Sequence, residues 1–358
     1  MGPEAGIIIG GSTIAAVAVV ASAVYNTVES SFLYSNARLA SRQKLSRRQL
    51  MAMQESESLK EIITQLRDTD YYLYVENAHS LDAFAASLEQ RFGDLLFEIG
   101  KMTPRKFHPV LDIYFMHVES HAIKVFFRSR FSDKELEQQS TAAFESLQPI
   151  LFHSLMNTKT VADMKVVLRD TKYSNLFENS FESIAAFDQA IDAHIRTRTL
   201  NAIDTFKFQG ADKIRTFFTY KADIQLLLAM LALHIRNIEP SANAEIIKSW
   251  GKIQGIDNTR LHTSELKEFV GACTGTIYHK PLLNALKRYE EGEGYHCFEH
   301  ELYTLLQKQV QSPGLVGSFA IVGFLERQLN EQQNLLVAAR GAVTGTTTSQ
   351  LMIYGDTK

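Results

Sequence analysis

The chain has 358 residues, 45% of them hydrophobic and 22% charged, with a net charge of −3 and two cysteines. A pI near 6.4 without a concentrated basic stripe argues against a nucleic-acid partner, and two cysteines supply no disulfide framework and suit a reducing compartment. This length is too great for one ordinary core and predicts two or three subdomains.

The first element is residues 6–25, "GIIIGGSTIAAVAVVASAVY", twenty positions without a charge. As a helix rising about 1.5 Å per residue they would span ~30 Å, the thickness of a bilayer's hydrocarbon core. Ala21-Ser22-Ala23 has the form of a signal-cleavage site, but only Glu4 is charged before the apolar run, so the basic start of a signal peptide is missing. Arg38, Arg42, Lys44, Arg47 and Arg48 follow with no acid between Ser31 and Gln54. By the positive-inside rule they place the body in the cytoplasm; a solvated helix face would also account for them. The span is rich in small residues, and Gly6 to Gly10, Gly11 to Ala15 and Ala18 to Ser22 repeat the spacing that lets membrane helices approach closely.

Beyond it the signals are helical. Leu59, Ile62, Ile63 and Leu66 fall at i, i+3, i+4, i+7, and Leu81, Phe84, Ala85, Leu88, Phe92 and Leu95 continue that period on a second amphipathic helix. Ser132-Asp133-Lys134-Glu135 has the spacing of a capping box and predicts a helix start. Pro240 predicts the end of a long helix at Ile238-Glu239. There are seven prolines, no Asn-Gly or Asp-Gly pair and no sustained period-2 alternation, so the fold class is all-α.

Three stretches align with one another: "YFMHVESHAIKVFFRSR" from Tyr114, "FTYKADIQLLLAMLALH" from Phe218 and "FLERQLNEQQNLLVAAR" from Phe324. Each carries an acid, Glu119, Asp223 and Glu331, at separations of 104 and 108 residues. Upstream of each, by 31, 36 and 33 residues, lies a similar triplet: Leu88-Glu89-Gln90, Phe187-Asp188-Gln189 and Phe298-Glu299-His300. A near-constant period across two features predicts three helical units that cover one another's apolar faces. The three acids read as exposed or inter-helix polar contacts, not catalytic groups.

Two enzymatic readings fail on spacing. Cys273, His279, His296, Cys297 and His300 form the one candidate metal constellation, but Cys297 stands where the Glu of H-E-x-x-H belongs and the set fits no zinc pattern. "GIIIGGST" has the glycines of a phosphate loop without its lysine and without a preceding strand.

At this point the residues resemble a known family. "LYSNARLASRQKLSRRQL", with Tyr34, Asn36 and Arg38, is similar to the opening helix of the stalk component called C in archaeal-type rotary ATPases and d in vacuolar-type ones. Phe324, Glu331, Asn334, Leu335, Gly341 and Gly345 stand where that family carries its closing pattern, and the resemblance covers about Phe32 to Leu351. The chain departs from the family at Ala122 and Leu226, where asparagines are usual, and at Leu336 and Ala342, where an arginine and a lysine are usual. The hydrophobic N-terminus is an addition.

The resemblance implies a funnel-shaped all-α body of three pseudo-repeated units, 30–133, 134–239 and 240–351; the 6–25 helix expected before them rests on hydropathy alone. The resemblance also implies a non-catalytic central-stalk adaptor on the cytoplasmic face of the membrane, coupling the rotor shaft to the membrane rotor ring for proton or sodium ion translocation linked to ATP synthesis or hydrolysis. The implied partners are the ring's proteolipid subunits, the D- and F-type shaft subunits and the membrane, with no nucleic acid, small-molecule substrate, cofactor, metal or catalytic residue. The motif and interface candidates are Tyr34, Asn36, Arg38, Glu119, Asp223, Phe324, Glu331, Asn334 and Gly341. A membrane-tethered scaffold unrelated to rotary motors would account for the anchor and the repeat, but not for the terminal motifs.

Overall fold

Serine and threonine caps set the starts of five helices. Ser46, Ser58, Ser80, Thr160 and Ser183 each accept a hydrogen bond from a backbone N–H three residues on, and at Ser46 and Thr160 the side chains of Gln49 and Asp163 reach back to close a capping box. The computed structural model describes residues 45–133, 141–177, 180–208, 210–235, 253, 256, 261, 265–310 and 319–345. The 6–25 span, Tyr34, Asn36, Arg38, Lys134-Glu135 and Pro240 lie outside the described residues.

Among the described residues every regular element is helical. In chain order these are α1 (Arg47–Gln54), α2 (Leu59–Gln65), α3 (Tyr72–Val75), α4 (Leu81–Met102), α5 (His108–Ser132), α6 (Ala142–Leu147), α7 (Pro149–Met156) and α8 (Val161–Leu168). They continue with α9 (Ile184–Asp204), α10 (Ala211–Ile235), α11 (Leu266–Ala272), α12 (His279–Glu290), α13 (His296–Val310) and α14 (Phe319–Thr344). Short 3-10 turns occupy Arg105–Phe107 and Ser174–Phe177.

The predicted amphipathic stripes are buried where expected. Ile62, Ile63 and Leu66 on and after α2, and Phe84, Leu88 and Phe92 on α4, face the interior. The stripe on α4 then turns onto Leu96, which is fully buried, while Leu95 is only partly so. One helix start is corrected: Ser132 is the last residue of α5, and Asp133 takes a left-handed conformation with φ 50° that closes it. The Ser-x-x-Glu spacing misled because Ser132 still lies inside α5, whose ladder the αL residue Asp133 closes. Gly93 on α4 permits a close crossing with α6, since a Cβ there would lie 2.8 Å from that of Ala143.

Two apolar cores result. The larger runs from Phe92 to Leu325, and the smaller joins Leu45, Leu50, Met53, Ile62, Val75 and Phe84 to Leu335, Ala338, Ala339 and Ala342 of α14. In the order of the described elements three long helices come next after another long helix: α5 after α4, α10 after α9, α14 after α13. Helix α5 packs on α8 and α9, and α10 packs on α11 and α13. Helix α14 instead returns to the start of the chain and packs on α1, α2 and α4. Helix α10 is long and apolar enough to cross a membrane by length and composition. Its apolar side chains, among them Phe217, Phe218, Ile224 and Leu227, are buried in the larger core.

Candidate functional site

The three acids singled out by the sequence are all buried, Glu119 and Asp223 each 2% exposed and Glu331 5%. An ionised carboxylate removed from water demands hydrogen-bond donors or an opposite charge. Each acid finds a tyrosine. The Tyr173 hydroxyl donates to Glu119 Oε2 at 2.8 Å, that of Tyr278 to Asp223 Oδ2 at 3.0 Å, and that of Tyr71 to Glu331 Oε2 at 3.0 Å. Burial, followed by the charge of the accepting carboxylate, pushes all three phenols well above their ordinary range. They therefore remain protonated donors at any physiological pH.

The first two tyrosines lie 54 and 55 residues after their acids, whereas Tyr71 lies 260 residues before Glu331. Each tyrosine sits in the same local frame. It is preceded by a short helix, α2, α8 or α11, and by a threonine at Thr69, Thr171 or Thr276 whose hydroxyl donates to the carbonyl three residues back, at 2.7 Å in every case. Basic side chains complete the sites differently. Lys172 pairs with Glu119 at 2.6 Å, the buried Arg196 pairs with Asp223 at 3.1 Å, and the Arg91 guanidinium lies 3.9 Å over the Tyr71 ring.

A fourth polar contact joins the three long helices. Tyr114 on α5 donates to Glu326 Oε1 on α14 at 2.8 Å, Lys221 on α10 pairs with the same oxygen at 2.6 Å, and Phe218 meets the Tyr114 ring edge-on at 5.8 Å. Tyr114, Phe218 and Glu326 each stand five residues before the acid of their helix. Phe324 stands seven residues before Glu331, so aligning the three acids sets Glu326 beside Tyr114 and Phe218 in the sequence comparison. Phe324 is buried in the larger core, and Asn334 and Gly341 are buried on α14.

Sequence reasoning missed the tyrosines, although the signal is present. Leu66-Arg67-Asp68-Thr69-Asp70-Tyr71 and Leu168-Arg169-Asp170-Thr171-Lys172-Tyr173 are nearly the same hexapeptide, and Thr276-Ile277-Tyr278 keeps its Thr-x-Tyr ending. The family asparagines replaced by Ala122 and Leu226 would lie three residues after Glu119 and Asp223, where this chain buries apolar side chains; Asn334 keeps that place after Glu331.

The cysteines are turned inward. Cys273 donates to the Phe269 carbonyl and Cys297 to that of Ala285, and burial raises their thiols to about 12 and about 11. Among the described residues no three His, Cys, Asp or Glu side chains are grouped to hold a metal.

Comparison with known proteins bears on the same residues. Positions 35–352 match the family described as ATP synthase (C/AC39) subunit. The chain belongs to that family. Similar curated members are the A-type ATP synthase C subunit of Methanocaldococcus jannaschii, 23% identical over 342 residues (87% of this chain, 83% of the relative), and that of Methanothermobacter thermautotrophicus, 21% identical over 354 residues (93% and 90%). A third, from Methanosphaera stadtmanae, is 22% identical over 328 residues (86% and 83%). The matched span takes in every tyrosine–carboxylate contact of this family member.

Proposed function

We propose that this chain is the non-catalytic central-stalk adaptor of an A-type rotary ATP synthase. In this reading its three helical units, 30–133, 134–239 and 240–351, close on one another as a funnel that rests on the membrane rotor ring and accepts the tip of the shaft. The observation that carries it is the threefold tyrosine–carboxylate contact. Each acid-bearing helix is locked to the Thr-x-Tyr frame of the next unit, and the last returns to the first. An adaptor that passes torque between two partners needs a body that deforms little. Packed interiors joined in a closed circuit supply this, because each unit packs on both of its neighbours.

Residues 6–25 would then enter the membrane beside or within the ring and tether the adaptor, since linking a second contact raises the effective concentration of the first. Gently solubilised membranes containing the tagged full chain should yield ring and shaft subunits together with it. Recovery of the chain alone would favour an unrelated membrane scaffold. Removal of residues 1–28 should leave a folded protein that holds the ring less tightly. Gly11→Leu or Ala15→Leu should also weaken the hold, because close helix packing excludes the larger side chain.

A further inference from the structure

Two of the turns that join the long helices are basic. The last turns of α4 and the link to α5 expose Lys101, Arg105 and Lys106 together with the apolar side chains of Phe97 and Met102. The turn between α9 and α10 exposes Lys207. The two turns touch: Phe107 meets Phe208 edge-on with ring centroids 5.0 Å apart, and Phe206 lies 5.3 Å from Phe208. Each aromatic anchor thus carries a lysine beside it in the chain, Lys106 and Lys207, and the buried rings fix the two turns as one surface.

Acids here are few. Lys101 pairs with Glu98 at 2.8 Å, and Asp212 is held by Arg215. By contrast, the segment 55–82, which leads into α4 from its opposite end, carries seven acidic side chains against two basic ones. Helix α4 has 22 residues, so about 33 Å separates its ends. Helix α4 thus has a basic, partly apolar turn at one end and an acidic approach at the other.

We infer that the turn end formed by residues 97–108 and 204–208 binds acidic phospholipid headgroups, with Lys101, Arg105, Lys106 and Lys207 over the phosphates and Phe97 and Met102 dipping into the interface. The inference rests on the membrane-bound reading above and adds to it an orientation and a second class of partner. Phe97, Met102 and Arg105 are types common at either kind of surface, so the three lysines carry the choice of lipid over protein. Lysine is depleted at protein–protein interfaces, whereas clusters of exposed lysine and arginine beside isolated apolar side chains suit an anionic bilayer surface. Lys101 also lies 4.0 Å over the Phe97 ring. That stacking places charge and apolar surface on the same spot, as a headgroup boundary requires.

The test uses the full chain mixed with vesicles of phosphatidylcholine alone or of phosphatidylcholine with phosphatidylglycerol. Residues 6–25 contribute to both mixtures, so the readout is the preference for the anionic one. The wild-type chain should favour anionic vesicles, and salt should weaken that preference. Lys101→Gln, Arg105→Gln, Lys106→Gln and Lys207→Gln should each lower it by roughly fivefold. The matched pair Lys60→Gln and Arg67→Gln, in the acidic segment, should leave it unchanged. Equal partition of the wild-type chain into both vesicles would overturn the inference. So would variants that keep the anionic preference yet are lost from the solubilised complex, which would assign the patch to a protein partner and leave the adaptor reading intact. Unaltered thermal unfolding of the variants serves as the folding control.

Discussion

Two seams of this molecule use the same hydrogen bond in opposite surroundings. Where α5 meets α8 and α9, the Tyr173–Glu119 contact sits beside aromatic packing: Phe127 stacks on Phe187 with centroids 3.7 Å apart and rings 7° from parallel, and Phe181 closes edge-on at 5.8 Å. Ion pairs Lys124–Asp192 and Arg128–Asp188 line the rim. Where α14 returns to the start of the chain, the Tyr71–Glu331 contact sits among buried polar groups. Arg91 donates to Gln328 at 2.9 Å, and Gln332 and Asn334 are also enclosed. The apolar part of α14 at this seam is mostly alanine: Ala338, Ala339 and Ala342 beside Leu335. Apolar area stabilises roughly in proportion to its size, and a buried polar pair contributes little net while costing much when half of it is removed. The first seam is therefore held by area and the second by satisfaction of polar partners. The second should open first.

The largest effect should come from truncating the aromatic seam. Phe187→Ala removes the ring stacked on Phe127 and leaves a cavity, and should cost about 3–5 kcal/mol in denaturant unfolding. A comparable loss from Ala339→Gly on α14 would break the comparison. Next, Tyr71→Phe and Tyr173→Phe each delete one donor to a buried carboxylate, an expected cost of about 1–3 kcal/mol. Tyr173→Phe should fall at the low end because Lys172 and Gln148 still reach Glu119. Tyr71→Phe should also raise amide exchange in α1, α2 and the second half of α14, with α5 and α9 unaffected. Even without substitution, native-state exchange should release α1 and the C-terminal half of α14 before α5 and α9. The reverse order would show that the closing seam is the stronger.

The smallest effect is a pH dependence beside the aromatic seam. Glu89 on α4 faces His121 on α5 at 3.3 Å, and burial raises the Glu89 carboxyl from 4.5 to about 7. Burial, then Lys124 and Arg128, lowers His121. An acid whose folded pKa is raised favours the folded state most below the unfolded value. Its contribution is lost as pH climbs from about 4.5 to about 7. Glu89→Gln should therefore flatten the stability profile across that window, measured by urea unfolding at a series of pH values. A profile equally steep without Glu89 would assign the slope to another group.

Much of this architecture was readable in the residues alone. The period-3.6 stripes of α2 and α4 and the scarcity of turn pairs gave the helical class, because an amphipathic pattern has one way to hide its apolar face. The spacing of Glu119, Asp223 and Glu331 marked three places where an acid recurs, and the opening and closing motifs pointed to the family. Sequence could not say what the acids meet, since a carboxylate on an apolar helix is equally compatible with solvent, a cation or a hydroxyl. Tertiary packing chose the hydroxyl, bringing Tyr71 across 260 residues to Glu331. It also chose Asp133, through a left-handed backbone, as the end of α5 where local spacing suggested a beginning. Spacing along the chain determines which faces are apolar. Which distant polar group answers a buried charge is decided only when helices far apart in sequence come within hydrogen-bond reach.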